Sequence, residues 1–107
     1  MAKKNVSVVL VTAPRKDAEK IARTLLKERL IACANLLPAV TSLYWWDGKI
    51  NRDVETLMFL KTRPANLKFL LRRLKQLHSY KVPEFLALRS ELANPDYASW
   101  VDAETCH

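Results

Sequence analysis

One glycine, two cysteines and two histidines are all that this 107-residue chain has of the residues most phosphate, disulfide and zinc sites require. A phosphate-cradling loop takes several glycines, so the lone Gly48 excludes that kind of nucleotide site. Cys33 and Cys106 build no disulfide framework, and with His78 and His107 they give no zinc-type spacing. No stretch approaches the length of about 18 apolar residues that a membrane-spanning helix needs. Met1-Ala2-Lys3-Lys4 is basic, but the apolar run Val8 to Val11 behind it is too short for a signal peptide. A reducing cytoplasm is therefore the expected location.

Acidic charge is scarce as well. Eleven Asp and Glu against 18 Lys and Arg leave a net charge of +7, which raises the question of nucleic acid. The cations are spread out, however: Arg15, Lys16, Lys20, Arg23 and Lys27, then Lys68, Arg72, Arg73 and Lys75. Most fall on the polar sides of two helical patterns, which reads as a solvated face and makes nucleic acid an unlikely partner. Half the residues are hydrophobic, enough for a single core, so residues 1–107 are expected to form one domain.

The chain is organised around Ser42-Leu43-Tyr44-Trp45-Trp46-Asp47-Gly48-Lys49-Ile50. Asp-Gly between two extended segments predicts a type I′ hairpin turn, which needs positive φ at its centre. Ala39 to Tyr44 is β-branched and aromatic, and Val54, Thr56, Met58 and Leu60 alternate with their neighbours, so both arms read as strands. From Ile50 to Lys61 an unbroken strand would span roughly 40 Å at about 3.3 Å per residue. A compact chain of this size has a radius of gyration of about 13 Å, so the hairpin is expected to overhang and pair with another subunit. A strand folded back on its own core by a bulge is the alternative. Trp45 and Trp46, as strand neighbours, should point to opposite faces and do different jobs.

In chain order, Val6 to Thr12 reads as a buried first strand. A helix then starts at Thr12-Ala13-Pro14, its stripe made by Ala18, Ile21, Ala22, Leu25, Leu26 and Leu30. Ala32 to Leu37 is a strand interrupted at Pro38, which predicts a bulge. The second half echoes the first, because Leu60-Lys61-Thr62-Arg63-Pro64 matches Leu10-Val11-Thr12-Ala13-Pro14. Another helix follows, with the stripe Leu67, Leu70, Leu71, Leu74 and Leu77, then a last core strand Phe85-Leu86-Ala87-Leu88. The order β-α-β, β-α-β predicts an α+β, ferredoxin-like βαββαβ sandwich with a long β2–β3 hairpin. Asn94-Pro95 opens a short C-terminal helix carrying Tyr97, Trp100 and Val101.

The densest polar cluster is His78-Ser79-Tyr80-Lys81-Val82-Pro83-Glu84. It could converge on a metal or an anion; alternatively His78 caps its helix C-terminus and Glu84 forms an ion pair. Cys33 lies in an apolar strand, as a buried inert thiol or else a metal ligand. Cys106-His107 offers thiolate and imidazole for a soft metal, at a chain end prone to fraying.

Val11-Thr12-Ala13-Pro14, Leu30 to Leu36, Thr41 to Ile50, Glu55, Lys61-Thr62, His78 to Glu84 and Tyr97-Ala98-Ser99-Trp100 stand in an order that resembles the CutA divalent-cation tolerance family, from about Val6 to Trp100. The resemblance implies a cytoplasmic homotrimer similar in architecture to the PII signalling proteins. It also implies a role in tolerance of copper(II) and other divalent cations, without catalysis. Some bacterial relatives carry cysteine at the position of Val11 and histidine at that of Leu77, where copper has been proposed to bind. Here His78 alone remains, and Ser79 replaces the usual proline.

The leading expectation is a trimer whose intersubunit cleft is lined by Tyr44, Trp46, Glu55, Lys61, Tyr80, Lys81 and Glu84, with His78 and Cys33 as candidate metal ligands. A second reading is a PII-like sensor in which Lys61 or Lys81 holds a small anionic ligand. Nucleic-acid binding through the basic helices is the third.

Overall fold

The computed structural model describes residues 4–106. Strand β1 (Ser7–Ala13) leads into helix α1 (Arg15–Lys27), followed by β2 (Cys33–Trp46) and β3 (Lys49–Thr62). A short 3-10 turn (Pro64–Asn66), helix α2 (Leu67–Leu77), strand β4 (Leu86–Arg89) and helix α3 (Pro95–Thr105) complete the chain. The strands form one antiparallel sheet in the order β2-β3-β1-β4, as the ferredoxin-like reading expects.

The period-2 patterns decide which side of the sheet is covered. Val9, Val11 and Ala13 of β1 and Met58 and Leu60 of β3 pack against Ala18, Ile21, Ala22 and Leu25 of α1 and Leu70 and Leu74 of α2. Leu26, expected on the same stripe, is exposed; it lies at the edge of an apolar arc that the sheet covers only in its centre. Helix α1 also begins later than expected, with Pro14 as its extended N-cap (φ −56°, ψ 140°). The Pro14 carbonyl accepts from the N–H groups of Asp17 and Ala18, so the first turn forms immediately after the ring.

The hairpin turn takes the predicted form, with Asp47 at φ 54° and Gly48 at φ 74°. Pairing runs from Trp46↔Lys49 back to Cys33↔Lys61, with one register shift between Leu37 and Val40. Pro38 offers no N–H to the ladder there, and Ala39 absorbs the extra residue at φ 62°. The bulge does not fold the strands back. The molecule measures 50 × 26 × 22 Å, a length that fourteen-residue arms at about 3.3 Å per residue account for.

Directly paired residues share a face, so the register also identifies what lies on the other side of the sheet. That back face carries Val8 and Leu10, paired with Lys61 and Phe59, together with Leu37 paired with Leu57. Leu88 and Leu86 of β4 stand opposite Val8 and Leu10 and extend the same surface. All four residues of β4 are exposed. The last strand, expected as a core strand, is instead an edge strand, because the order β2-β3-β1-β4 pairs it on one side only, and its residues are exposed in this chain.

Helix α3 is capped by Asn94, whose side chain accepts from the Asp96 N–H. Its far end is tied to the sheet through buried Asn66, which donates to the Thr105 carbonyl at 3.0 Å and to Thr62 Oγ1 at 3.4 Å. Thr62 Oγ1 in turn donates to the Leu30 carbonyl at 2.7 Å. Asn66→Ala is expected to lower stability by about 1–3 kcal/mol in a urea titration, because it leaves enclosed acceptors without a donor.

Candidate functional site

Beside the hairpin lies a cavity of about 780 Å³. Strand β2 contributes Thr41, Ser42, Leu43, Tyr44 and Trp46, strand β3 contributes Glu55, and Thr12 comes from the end of β1. The opposite wall is the turn after α2, with Ser79, Tyr80, Lys81, Val82 and Glu84. The hairpin and the polar turn therefore converge, and Tyr44, Trp46, Glu55, Tyr80, Lys81 and Glu84 line one cavity within the single chain. Lys61 does not line the cavity. It sits at the other end of β3, paired with Cys33, and its Nζ donates to Asn35 Oδ1 at 2.5 Å. Six residues of strand separate it from Glu55, a distance of about 20 Å that its side chain does not bridge.

Glu55 is the buried charge of the site, only 6% exposed. Its Oε2 accepts from the Tyr80 hydroxyl at 2.6 Å. Burial, reinforced by that bond and by the charge of Glu55, pushes the Tyr80 phenol well above its usual range. Tyr44 donates to Asp53, and the bond raises the Tyr44 phenol in the same way. Asp53 escapes the sequence reading, although its spacing of two from Glu55 would have placed both carboxylates on one strand face. Glu84 forms none of the ion pairs among the described residues, contrary to one expectation for it.

Desolvation, and then the charge of Glu55, raise the Glu84 carboxyl above its ordinary value of 4.5. A carboxyl with a raised folded-state value weakens the fold once it ionises, so its cost is present at neutral pH and absent below the unfolded value. Glu84→Gln is expected to stabilise the protein at pH 7, with the difference from the parent closing as pH falls towards 4.5 and gone below it. Thermal melts across that range measure it.

His78 is placed at the C-cap of α2, but its ring is engaged elsewhere. It is 7% exposed, and Nε2 lies 2.8 Å from the Thr12 carbonyl while Nδ1 accepts from the Tyr80 N–H at 3.0 Å. The two bonds define a neutral ring with its proton on Nε2. Neither nitrogen has a lone pair free for the metal role expected of it. The histidine instead fastens β1 to the turn that presents Tyr80 to Glu55.

Cys33, expected as a buried inert thiol or a ligand, is half-buried, with Sγ 3.7 Å from Asn35 Oδ1. It neighbours Tyr97 on α3, whose phenol is raised by burial and by that thiol. Cys106 is exposed, and His107 lies outside the described residues. Among the described residues no group of three or more His, Cys, Asp or Glu side chains is arranged to hold a metal ion.

The two tryptophans differ as their alternation predicts. Trp46 lines the cavity and is 53% exposed, whereas Trp45, paired with Ile50 on the other face, is 71% exposed. Leu43, Ile50 and Val54 are exposed alongside Trp45.

Residues 7–104 match the family model described as CutA1 divalent ion tolerance protein. The divalent-cation tolerance protein CutA of Citrobacter koseri is 45% identical over 90% of this chain and 84% of its own length. The rice protein CutA 1, chloroplastic, is 41% identical over 92% of this chain. This chain spans only 56% of that rice protein and 58% of the mouse protein CutA. The solved structure of the Thermus thermophilus divalent cation tolerance protein superposes with a TM-score of 0.90, at 40% identity over 94% of this chain and 98% of that one. Family model, sequence relatives and fold agree over nearly the whole chain, which belongs to the CutA1 divalent ion tolerance family.

Proposed function

We propose that this chain works as a homotrimer in divalent-cation tolerance, in a reducing cytoplasm and without catalysis. The observation that carries the assembly is the bare back of the sheet. Leu37, Leu86 and Leu88 are exposed there, next to partly covered Val8, Leu10, Leu57 and Phe59. The protruding hairpin adds Leu43, Trp45, Ile50 and Val54. Exposed apolar surface on this scale marks an interface. Two different surfaces, a projecting hairpin and a recessed sheet back, suit a head-to-tail contact that closes into a ring. The relatives' name supports the link to divalent cations.

With the His78 nitrogens engaged and no chelating group of three or more among the described residues, copper(II) is expected to bind weakly, at micromolar affinity or looser, or through ligands shared between subunits. A small anion, the alternative ligand, would face Glu55 and Glu84 with Lys81 as the one cation of the cavity lining. Light scattering of the purified protein is expected to give about three times the 12.3 kDa chain mass at micromolar concentration. A folded monomer at that concentration would falsify the proposal. Copper titration of a chain ending at Thr105 separates a folded-body site from Cys106-His107.

A further inference from the structure

We propose that the cavity between the hairpin and the Ser79–Glu84 turn binds a small organic cation, an ammonium or guanidinium group carried on a hydrocarbon body. On a chain with a net charge of +7, this site runs against the overall sign. Glu55 and Glu84 line it and Asp53 stands behind Tyr44, and none of the three joins an ion pair among the described residues. Lys81 is the only cation in the lining, and it is exposed.

Glu55 carries the argument furthest. It is more than nine-tenths buried, and the one hydrogen bond it receives is the Tyr80 hydroxyl on Oε2. Oε1 receives none among the described residues, although no fully enclosed side-chain polar atom there lacks a partner. Oε1 therefore keeps accessible surface, and Glu55 lines the cavity. A buried carboxylate met only by a neutral phenol lacks the positive counterpart that would offset its desolvation.

The walls select the kind of cation. Trp46, Tyr44 and Tyr80 share the lining with Glu55 and Glu84, and aromatic faces attract ammonium and guanidinium groups. A bare divalent ion would need several oxygen or nitrogen ligands in one place, and the described residues hold no such group. The volume of about 780 Å³ also falls within the range of small-molecule sites, roughly 300–1,000 Å³, and far exceeds what a single ion occupies. This inference rests on the cavity as one chain forms it and does not depend on copper; because Leu43 also belongs to the hairpin surface proposed to meet another subunit, the test uses the native assembly.

The probe is 1,5-diaminopentane, added to the full chain in its native assembly at neutral pH and low salt, with calorimetry and tryptophan fluorescence as readouts. Saturable binding that perturbs the fluorescence is expected, with magnesium and ATP failing to compete. Glu55→Gln should weaken binding at least about tenfold, equivalent to 1.4 kcal/mol. Trp46→Leu should weaken it and remove the fluorescence response. Lys81→Ala should tighten it by removing the opposing charge. Should Glu55→Gln fail to fold, as judged by circular dichroism, Glu84→Gln takes its place with an expected loss of severalfold. Absence of saturation at millimolar diamine, equal displacement by magnesium, preferential binding of ATP, or carboxylate variants that bind like the parent would each overturn the proposal.

Discussion

Leu88→Asp is expected to turn the assembled protein into monomers. Leu88 is exposed on the edge strand β4 and stands opposite Val8 on the sheet back, so within one chain the substitution meets water and leaves the fold intact. In an assembly that covers this face, each copy would bury an unpaired carboxylate. The cost is roughly 4 kcal/mol per interface, close to a thousandfold in association. Light scattering should fall to the single-chain mass of 12.3 kDa, while circular dichroism keeps the signature of the folded chain. A trimer of unchanged mass and stability would place the interface elsewhere and leave the sheet back without a partner.

His78→Ala is expected to destabilise the chain by about 2–4 kcal/mol while leaving the copper isotherm of a chain ending at Thr105 unchanged. The substitution strands two partly buried backbone groups, the Thr12 carbonyl and the Tyr80 N–H, each costing about 1–2 kcal/mol. It also frees the turn that delivers Tyr80 to Glu55, so the cavity should loosen along with the fold. Urea titration reads the first effect. Lost copper affinity with full stability would reverse the assignment and make the imidazole a ligand.

Local features were legible in the sequence because their causes are local. Asp47-Gly48 specifies its own turn through the positive φ that both residues adopt. The interruption at Pro38 marks a bulge because a proline without an N–H breaks the ladder wherever it sits. Alternation in β3 and the leucine stripe of α2 follow from the periods of strand and helix, and the repeated β-α-β order limits the sheet to few topologies. The turn from His78 to Glu84 could be singled out as polar and dense, and strand alternation separates Trp45 from Trp46.

What those periods do not carry is where a given face ends up. Leu86 and Leu88 have the composition of a core strand, and only the tertiary structure shows them exposed on the end strand of the sheet. Lys61 and Glu55 lie on the same face of one strand, yet the register puts Lys61 beside Cys33 and leaves Glu55 beside Tyr80, so one belongs to the cavity and the other does not. His78 looks like a free ligand until the Thr12 carbonyl, 66 residues away, accepts a hydrogen bond from its Nε2–H. Local patterning thus determined which elements form, because turn and period energies are settled within a few residues. Burial, charge pairing and the engagement of each polar group were decided by the tertiary structure, because they depend on contacts between residues that only the folded sheet brings together.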